Sequence, residues 1–264
     1  MIRSATKADY ATFATLFREL AIDDPPPTYD RWTSALANET LVSECAGHVD
    51  GFVGFYALGD MGHVRSLVVA PDARNTGVGA RLMRAAATLL VARGVGEWNL
   101  NVKCDNTPAI RLYENLGMRV EHQSTVLHLS WQARMATGER ATALPVEPDE
   151  DDDIERALGL LGGQIAMARV RGDRVLVQLR DASCAPVGFA AFDPKLGAKP
   201  FRVARPDLAA TLLDALRPHA IADRIQLVVE DDAALMERFV AAGAEVRLEL
   251  LHYRGRLPLS PAAG

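Results

Sequence analysis

The sequence predicts an α/β layered fold laid down twice along one chain. Three observations carry this. Apolar strands alternate with amphipathic helices over residues 9–129. The same order returns in weaker form over residues 174–251. Between them, residues 132–153 show no hydrophobic period. Alternating elements of this kind pack helices against a sheet, and loss of periodicity marks a connection.

The 264 residues are 49% hydrophobic and 24% charged, enough apolar material for one or two domains with a core. The net charge of -5 leaves no bulk basic surface for nucleic acid. There is no apolar run long enough for a transmembrane helix and no signal-like N-terminus. Cys45, Cys104 and Cys184 are odd in number and form no CxxC pair, so neither a disulfide framework nor a metal site is expected. These features predict a cytoplasmic protein with reduced thiols, acting on neither membranes nor nucleic acid; oligomeric state is not legible.

In order, residues 9–21 form a helix with Phe13, Leu16, Phe17 and Leu20 on one face. Asp23-Asp24-Pro25-Pro26-Pro27 stops it, and a short helix follows over 29–36. Strands are predicted at 40–45, 52–58 and 63–69, separated by Gly and Asp. A helix at 79–92, a strand at 97–102 and a helix at 108–116 capped by Gly117 come next. Residues 119–129 supply two short strands. Residues 134–150 read as a linker, and the acidic run 149–153 suits the N-terminus of the helix that follows; a cation or partner site is the alternative. The second half repeats strands at 174–179, 187–192 and 201–204, a helix at 208–216, a strand at 225–229, a helix at 233–242 and a strand at 246–251.

The most informative segment is the turn Arg74-Asn75-Thr76-Gly77-Val78-Gly79-Ala80-Arg81, after the strand ending Leu67-Val68-Val69. A glycine-bearing turn opening into a helix leaves backbone N–H groups unpaired at the positive end of the helix dipole, where a phosphate fits. Gly77 and Gly79, lacking Cβ, let a ligand approach the backbone. The spacing is neither a Rossmann fingerprint nor a Walker A loop.

About thirty residues later stands Asn106-Thr107-Pro108-Ala109-Ile110-Arg111-Leu112-Tyr113-Glu114-Asn115-Leu116-Gly117-Met118. Together the two segments resemble the GNAT acyl-CoA N-acyltransferase superfamily. The first matches its R/Q-x-x-G-x-G/A motif, the second its N-x-x-A-x-x-L-Y-x-x-x-G-[FM] signature. The resemblance covers residues 2–131 and implies the GNAT fold, an α+β mixed sheet.

It also implies that the backbone N–H groups of Asn75, Thr76, Gly77, Val78, Gly79 and Ala80 hold the pyrophosphate of acetyl-CoA, with Arg74 capping the loop and Arg81 near a phosphate. The family often carries a cation where this chain has Asn75-Thr76. Backbone groups of Leu67, Val68 and Val69 would pair with the pantetheine arm. Asn106 would contact the cofactor, although an N-cap role with Pro108 in the first turn is equally natural. Tyr113 would act as general acid toward the leaving thiolate.

An attacking amine must be neutral, so a base or a water chain must take its proton. Histone acetyltransferases of the family carry a base eleven residues before the first motif position, which here is His63. Strict alternation would put His63 and Arg65 on the face of Leu67 and Val69. A partly exposed strand-start histidine is the alternative, with Asp60, Glu44 or an ordered water as other bases. The family's acceptor site implies that Asp23 and Asp24 attract a small cationic amine between walls of Tyr29, Trp32 and Tyr56; an amino acid, a polyamine, an aminoglycoside-like antibiotic and a protein amine all stay open as acceptors.

In the second half, aligning Gly243 with Gly117 pairs Asp232 with Asn106 and Phe239 with Tyr113. No GxG precedes the helix at 208–216. The predicted organisation is an acyltransferase domain over 1–133, the linker 134–150, and a degenerate GNAT-like domain over 151–264. The predicted activity is acetyl-CoA-dependent N-acetylation of a primary amine. A non-catalytic acyl-CoA sensor and an interaction protein are the competing classes.

Overall fold

The computed structural model describes residues 1–21, 25–136, 138, 141–170 and 172–257. It divides into two compact units. One is Met1–Glu121 together with the C-terminal segment that begins at Leu251; the other is His122–Leu250.

The first unit opens with β1 (Ile2–Ser4) and α1 (Tyr10–Phe17), which a short 3-10 turn extends to Leu20. A brief helix, α2 (Tyr29–Arg31), continues as a π-type turn over Trp32–Leu36. Then come β2 (Thr40–Cys45), β3 (His48–Leu58), β4 (Met61–Val69), α3 (Val78–Ala92), β5 (Glu97–Lys103) and α4 (Thr107–Asn115). Strands β1 to β4 pair antiparallel in sequence order, and β4 pairs parallel with β5. Parallel neighbours need a crossover, which α3 supplies.

Both sheet faces are covered. Helix α3 buries Val78, Leu82, Met83, Ala86, Ala87 and Leu90, a stripe at helical spacing. These pack with Val53, Phe55, Val64, Trp98, Leu100 and Tyr113. The opposite face packs Val42, Phe52 and Val68 against Phe13, Leu16, Trp32 and Leu36.

The chain passes from the first unit to the second within β6 (Arg119–Ser130), a single strand where two short ones were expected. The second unit continues with β7 (Thr142–Pro145), α5 (Asp151–Leu158), α6 (Gln164–Val170), β8 (Val175–Arg180), β9 (Pro186–Asp193), β10 (Gly197–Val203), α7 (Ala209–Leu216), β11 (Arg224–Glu230), α8 (Ala233–Ala241) and β12 (Glu245–Arg256). Its strand order is β6, β11, β10, β9, β8, β7. Its main core joins Leu179, Phe192, Phe201, Leu212, Leu227 and Phe239.

Two boundaries differ from those read in the sequence. Residues Thr142–Pro145, inside the expected linker, form an edge strand on β8. Backbone pairing can order a segment that has no apolar period of its own. The last part of β12 belongs to the first unit, where Tyr253 and Leu257 are buried in the core beside Trp98 and Met118. The Leu257 N–H donates to Gly96 O at 2.9 Å, and Arg254 ion-pairs with Glu97 and Glu121.

Candidate active site

The turn between β4 and α3 has the conformation its glycines suggest. Asn75 and Gly77 both sit in the left-handed region, with φ of 63° and 82°. Gly77 is the N-cap of α3, and no side chain caps that end. The N–H groups of Asn75, Thr76, Gly77 and Val78 donate to no described residue, so a row of unpaired donors stands at the positive end of a 15-residue helix. Such a run of N–H groups is able to hold an anion.

The side chains of the turn brace it. The Thr76 hydroxyl donates to Ala73 O at 2.7 Å, and Arg81 Nη1 donates to Thr76 O at 3.1 Å. Arg74 Nε donates to Val69 O at 3.2 Å, while its Nη2 pairs with Glu19 at 2.6 Å. Val78 is core. Gly79 differs from expectation: its absent side chain faces inward, where a Cβ would meet Leu112 Cδ2 at 3.3 Å with Leu67 and Val69 at 3.7 Å. It allows close packing of α3 on β4 and α4, while of the two glycines only Gly77 is left-handed. Ala80, half-buried, follows in the first turn of the helix.

Beside this turn the sheet opens. The β4–β5 ladder runs from Met61↔Glu97 to Val64↔Leu100 and stops, although β4 continues to Val69 and β5 to Lys103. The opening begins at a bulge. Gly54 pairs with Ser66 and Phe55 with Val64, which leaves Arg65 as the extra residue of β4. Past Val64, the β4 residues Leu67, Val68 and Val69 have strand partners on β3 and none on β5, and Val69 O is the acceptor of Arg74 Nε.

The bulge corrects the predicted alternation. Val64, Leu67 and Val69 pack toward α3 and α4, whereas Val68 packs toward α1. His63 therefore lies on the face opposite Leu67 and Val69, because one inserted residue reverses the side-chain phase. On that face His63 stacks on Tyr56, with ring centroids 4.9 Å apart at 16°. Burial lowers the His63 pKa below its ordinary 6.5, partly offset by a hydrogen bond with Asn99 on β5. The imidazole is thus neutral near pH 7 and able to accept a proton.

Tyr113, on α4, is 6% exposed and sits in the core with its ring 6.1 Å from that of Tyr253. Burial pushes its pKa up to about 12. No described residue hydrogen-bonds its hydroxyl. Asn106 caps α4: its side-chain oxygen accepts from the Ala109 N–H at 3.3 Å.

The expected acceptor walls divide. Tyr56 lies on the open face with His63. Tyr29 is 49% exposed and meets Tyr10 edge-on at 5.2 Å. Trp32 is not a wall: it is 0% exposed, stacked on Phe13 at 4.3 Å, and its Nε1–H donates to Thr6 O at 3.1 Å. An indole buries more apolar area than any other side chain, and here it anchors α2 to the sheet. Asp23 and Asp24 lie outside the described residues. Glu44 is engaged by Arg3 Nε at 2.7 Å, which removes it as a base. Sequence reasoning missed Asn99 and Glu39, which meet His63 and Arg65 only through strand register and a turn.

Known proteins match the stretch of chain that carries this turn. The model of the Acetyltransferase (GNAT) family matches residues 8–118. An acetyltransferase of Sodalis glossinidius is 35% identical over 107 residues, 40% of this chain and 74% of that protein. The chain belongs to the GNAT acetyltransferase family. It is also 37% identical over 79 residues to a mycothiol acetyltransferase of Clavibacter michiganensis, covering 30% of this chain and 26% of that one; the match spans about a quarter of that relative.

Solved structures extend the likeness along the chain. A GCN5-related N-acetyltransferase from Sphaerobacter thermophilus superposes with TM-score 0.73 at 16% identity, covering 97% of this chain and 95% of that one. A tandem GNAT protein from the clavulanic acid biosynthesis pathway superposes with TM-score 0.61 at 17% identity, covering 98% and 100%. The GNAT fold accordingly occurs here as two tandem GNAT-like domains.

Proposed function

We propose that the first unit transfers the acetyl group of acetyl-CoA to the primary amine of a small acceptor, an amine that is cationic in solution. The observation that carries this is the row of unpaired N–H groups from Asn75 to Val78 directly beside the gap between β4 and β5. A diphosphate suits the first feature. An extended amide-bearing arm suits the second, along the part of β4 at Leu67, Val68 and Val69 that β5 does not pair. Arg74 and Arg81 hold the turn in shape, and Asn106 fixes the start of α4 beside it. The second unit, without such a turn, is read as a GNAT-like domain that binds no acyl-CoA.

The chemistry follows from these parts. The acceptor's ammonium loses a proton to His63 or to a water it holds, since only the neutral amine is nucleophilic. The amine nitrogen attacks the acetyl carbonyl carbon, a C–N bond forms, and a backbone N–H at the bulged edge of β4 receives the oxyanion. The nitrogen gives up its second proton to solvent, the C–S bond breaks as the carbonyl re-forms, and the departing thiolate takes up one proton. Tyr113 supports this last step. With a pKa near 12 its phenol is a weaker acid than a thiol near 8.5, so full proton transfer to sulfur is uphill. Its role is to donate a hydrogen bond to the developing thiolate, and solvent completes the protonation.

The test is release of free thiol from acetyl-CoA over a panel of small amines and protein amines. Turnover that falls about 10- to 100-fold in Tyr113→Phe with unchanged acetyl-CoA affinity supports the reading. Tight acetyl-CoA binding with no turnover on any amine would replace it with the sensor reading.

A further inference from the structure

Amine acetylation needs no positive charge on the acceptor side, where a guanidinium repels an ammonium substrate. Arg65 nevertheless occupies the bulge that opens the sheet, two residues from His63. It lies flat across β3: a Cβ on Gly54 would stand 3.6 Å from both its Nε and its Nη2. Its guanidinium carbon is 5.6 Å from the centroid of the Tyr56 ring, the same ring on which His63 stacks. Imidazole and guanidinium therefore both pack on one aromatic side chain.

The partner of Arg65 holds it loosely. Both Nη atoms reach a single oxygen, Glu39 Oε2, at 3.3 and 3.4 Å. This is not the fork-to-fork geometry of a strong pair. The Nε–H donates to no described residue. The two side chains are 32% and 37% exposed, so the pair is open to solutes and contributes little to stability. A guanidinium pinned against an aromatic ring, with one donor edge open, is a receptor for a planar anion.

We infer that Arg65 is a specificity residue that receives a carboxylate of the acceptor, so that the acceptor is an amino acid: a small molecule with a free amine for His63 and a free carboxylate for Arg65. This rests on the transferase reading above. The acceptor's carboxylate takes the open Nε edge of Arg65, Glu39 gives way, and the amine end is left on the Tyr56–His63 side of the gap. No bond is made or broken by Arg65.

The experiment is thiol release from acetyl-CoA with a panel of α-amino acids, each beside its carboxamide and its decarboxylated amine, for the unaltered protein, Arg65→Gln and Glu39→Gln. The carboxamide's amine is the less basic, so it holds the advantage unless the carboxylate is recognised. The expected result is kcat/KM about 10- to 100-fold higher for the preferred acid than for its carboxamide. In Arg65→Gln that ratio collapses toward one through KM, with acetyl-CoA affinity unchanged. In Glu39→Gln the KM of the acid falls, because its competitor for the guanidinium is gone. Turnover with no preference for the acid, turnover confined to amines without a carboxylate, protein amines included, or equal losses for acid and carboxamide in Arg65→Gln would each overturn the inference and leave the transferase reading standing. Acetyl-CoA binding with no turnover of any amine would sink the transferase reading, and this inference with it.

Discussion

The two units present the same elements in the same order and differ at the proposed site. In the first, β4 and β5 part after Val64 and Leu100. In the second, β10 and β11 pair only at Gly197↔Gln226 and Ala198↔Leu227 before continuing to Val203 and Glu230. Both gaps lead toward a following helix. The first ends on the left-handed Asn75 and Gly77. The second enters its helix through an extended Arg205 and Pro206, with no residue of positive φ. The cleft beside β10 and β11, about 270 Å³, is lined by Phe201, Arg202, Val229, Glu230, Asp231, Asp232 and Leu235. Glu230 is paired with Arg202, and the remaining Asp231 and Asp232 disfavour a diphosphate. Where α4 carries Tyr113, α8 carries Phe239, fully buried against Phe201 at 5.9 Å. The fold alone therefore does not make a GNAT site. Two left-handed backbone positions and one hydroxyl separate the units.

The largest expected effect comes from breaking the turn. Gly77→Asp forces a side chain into φ 82° and sets a carboxylate against the proposed phosphates. Calorimetry should show acetyl-CoA affinity reduced by about 100-fold or more, since a lost anion contact and a new repulsion add. Unchanged affinity would remove the turn from the site. Phe239→Tyr sharpens the comparison from the other side. It restores a hydroxyl in the second unit but buries it without a partner, which should cost about 1–3 kcal/mol in chemical unfolding. No second acetyl-CoA site should appear.

Next in size is His63→Gln. Because burial lowers the His63 pKa, the folded state binds its proton less readily than the unfolded one. His63 therefore detracts from stability only as pH falls below about 6.5, where the unfolded chain takes up the proton first. The same shift keeps it neutral above that range. The acid limb of kcat against pH should lie below 6.5, and His63→Gln should lower kcat about 100-fold and abolish that limb. Asn99→Ala removes the one contact that raises this pKa and should move the limb further toward acid with little change in the plateau. A limb that stays in place in both variants would assign the base to water. The smallest effect belongs to Gly79→Ala, which gains helix propensity but presses on Leu112; stability should change by about 1 kcal/mol or less, with acetyl-CoA affinity kept.

What the sequence made legible follows its local physics. Left-handed turns need glycine or asparagine, so the β4–α3 turn stands out. An asparagine before proline marks a helix start, so Asn106 does too. Helix α3 announces itself through its apolar spacing. Other features depend on distant partners. The burial of Trp32 depends on Phe13 and Thr6. The bulge at Arg65 depends on the register of β3, and it inverted the face assigned to His63. The strand at Thr142–Pro145 exists only because β8 offers an edge, and the return of Tyr253 to the first core leaves no trace in residues 1–121. The acidic pair Asp23 and Asp24 lies outside the described residues.

The central claim is that one unit binds acyl-CoA and the other does not. Calorimetric titration of the whole chain with acetyl-CoA tests it directly. The account predicts one site per chain, lost in Gly77→Asp and retained in Phe239→Tyr. Two sites per chain, or one site that survives Gly77→Asp, would contradict it.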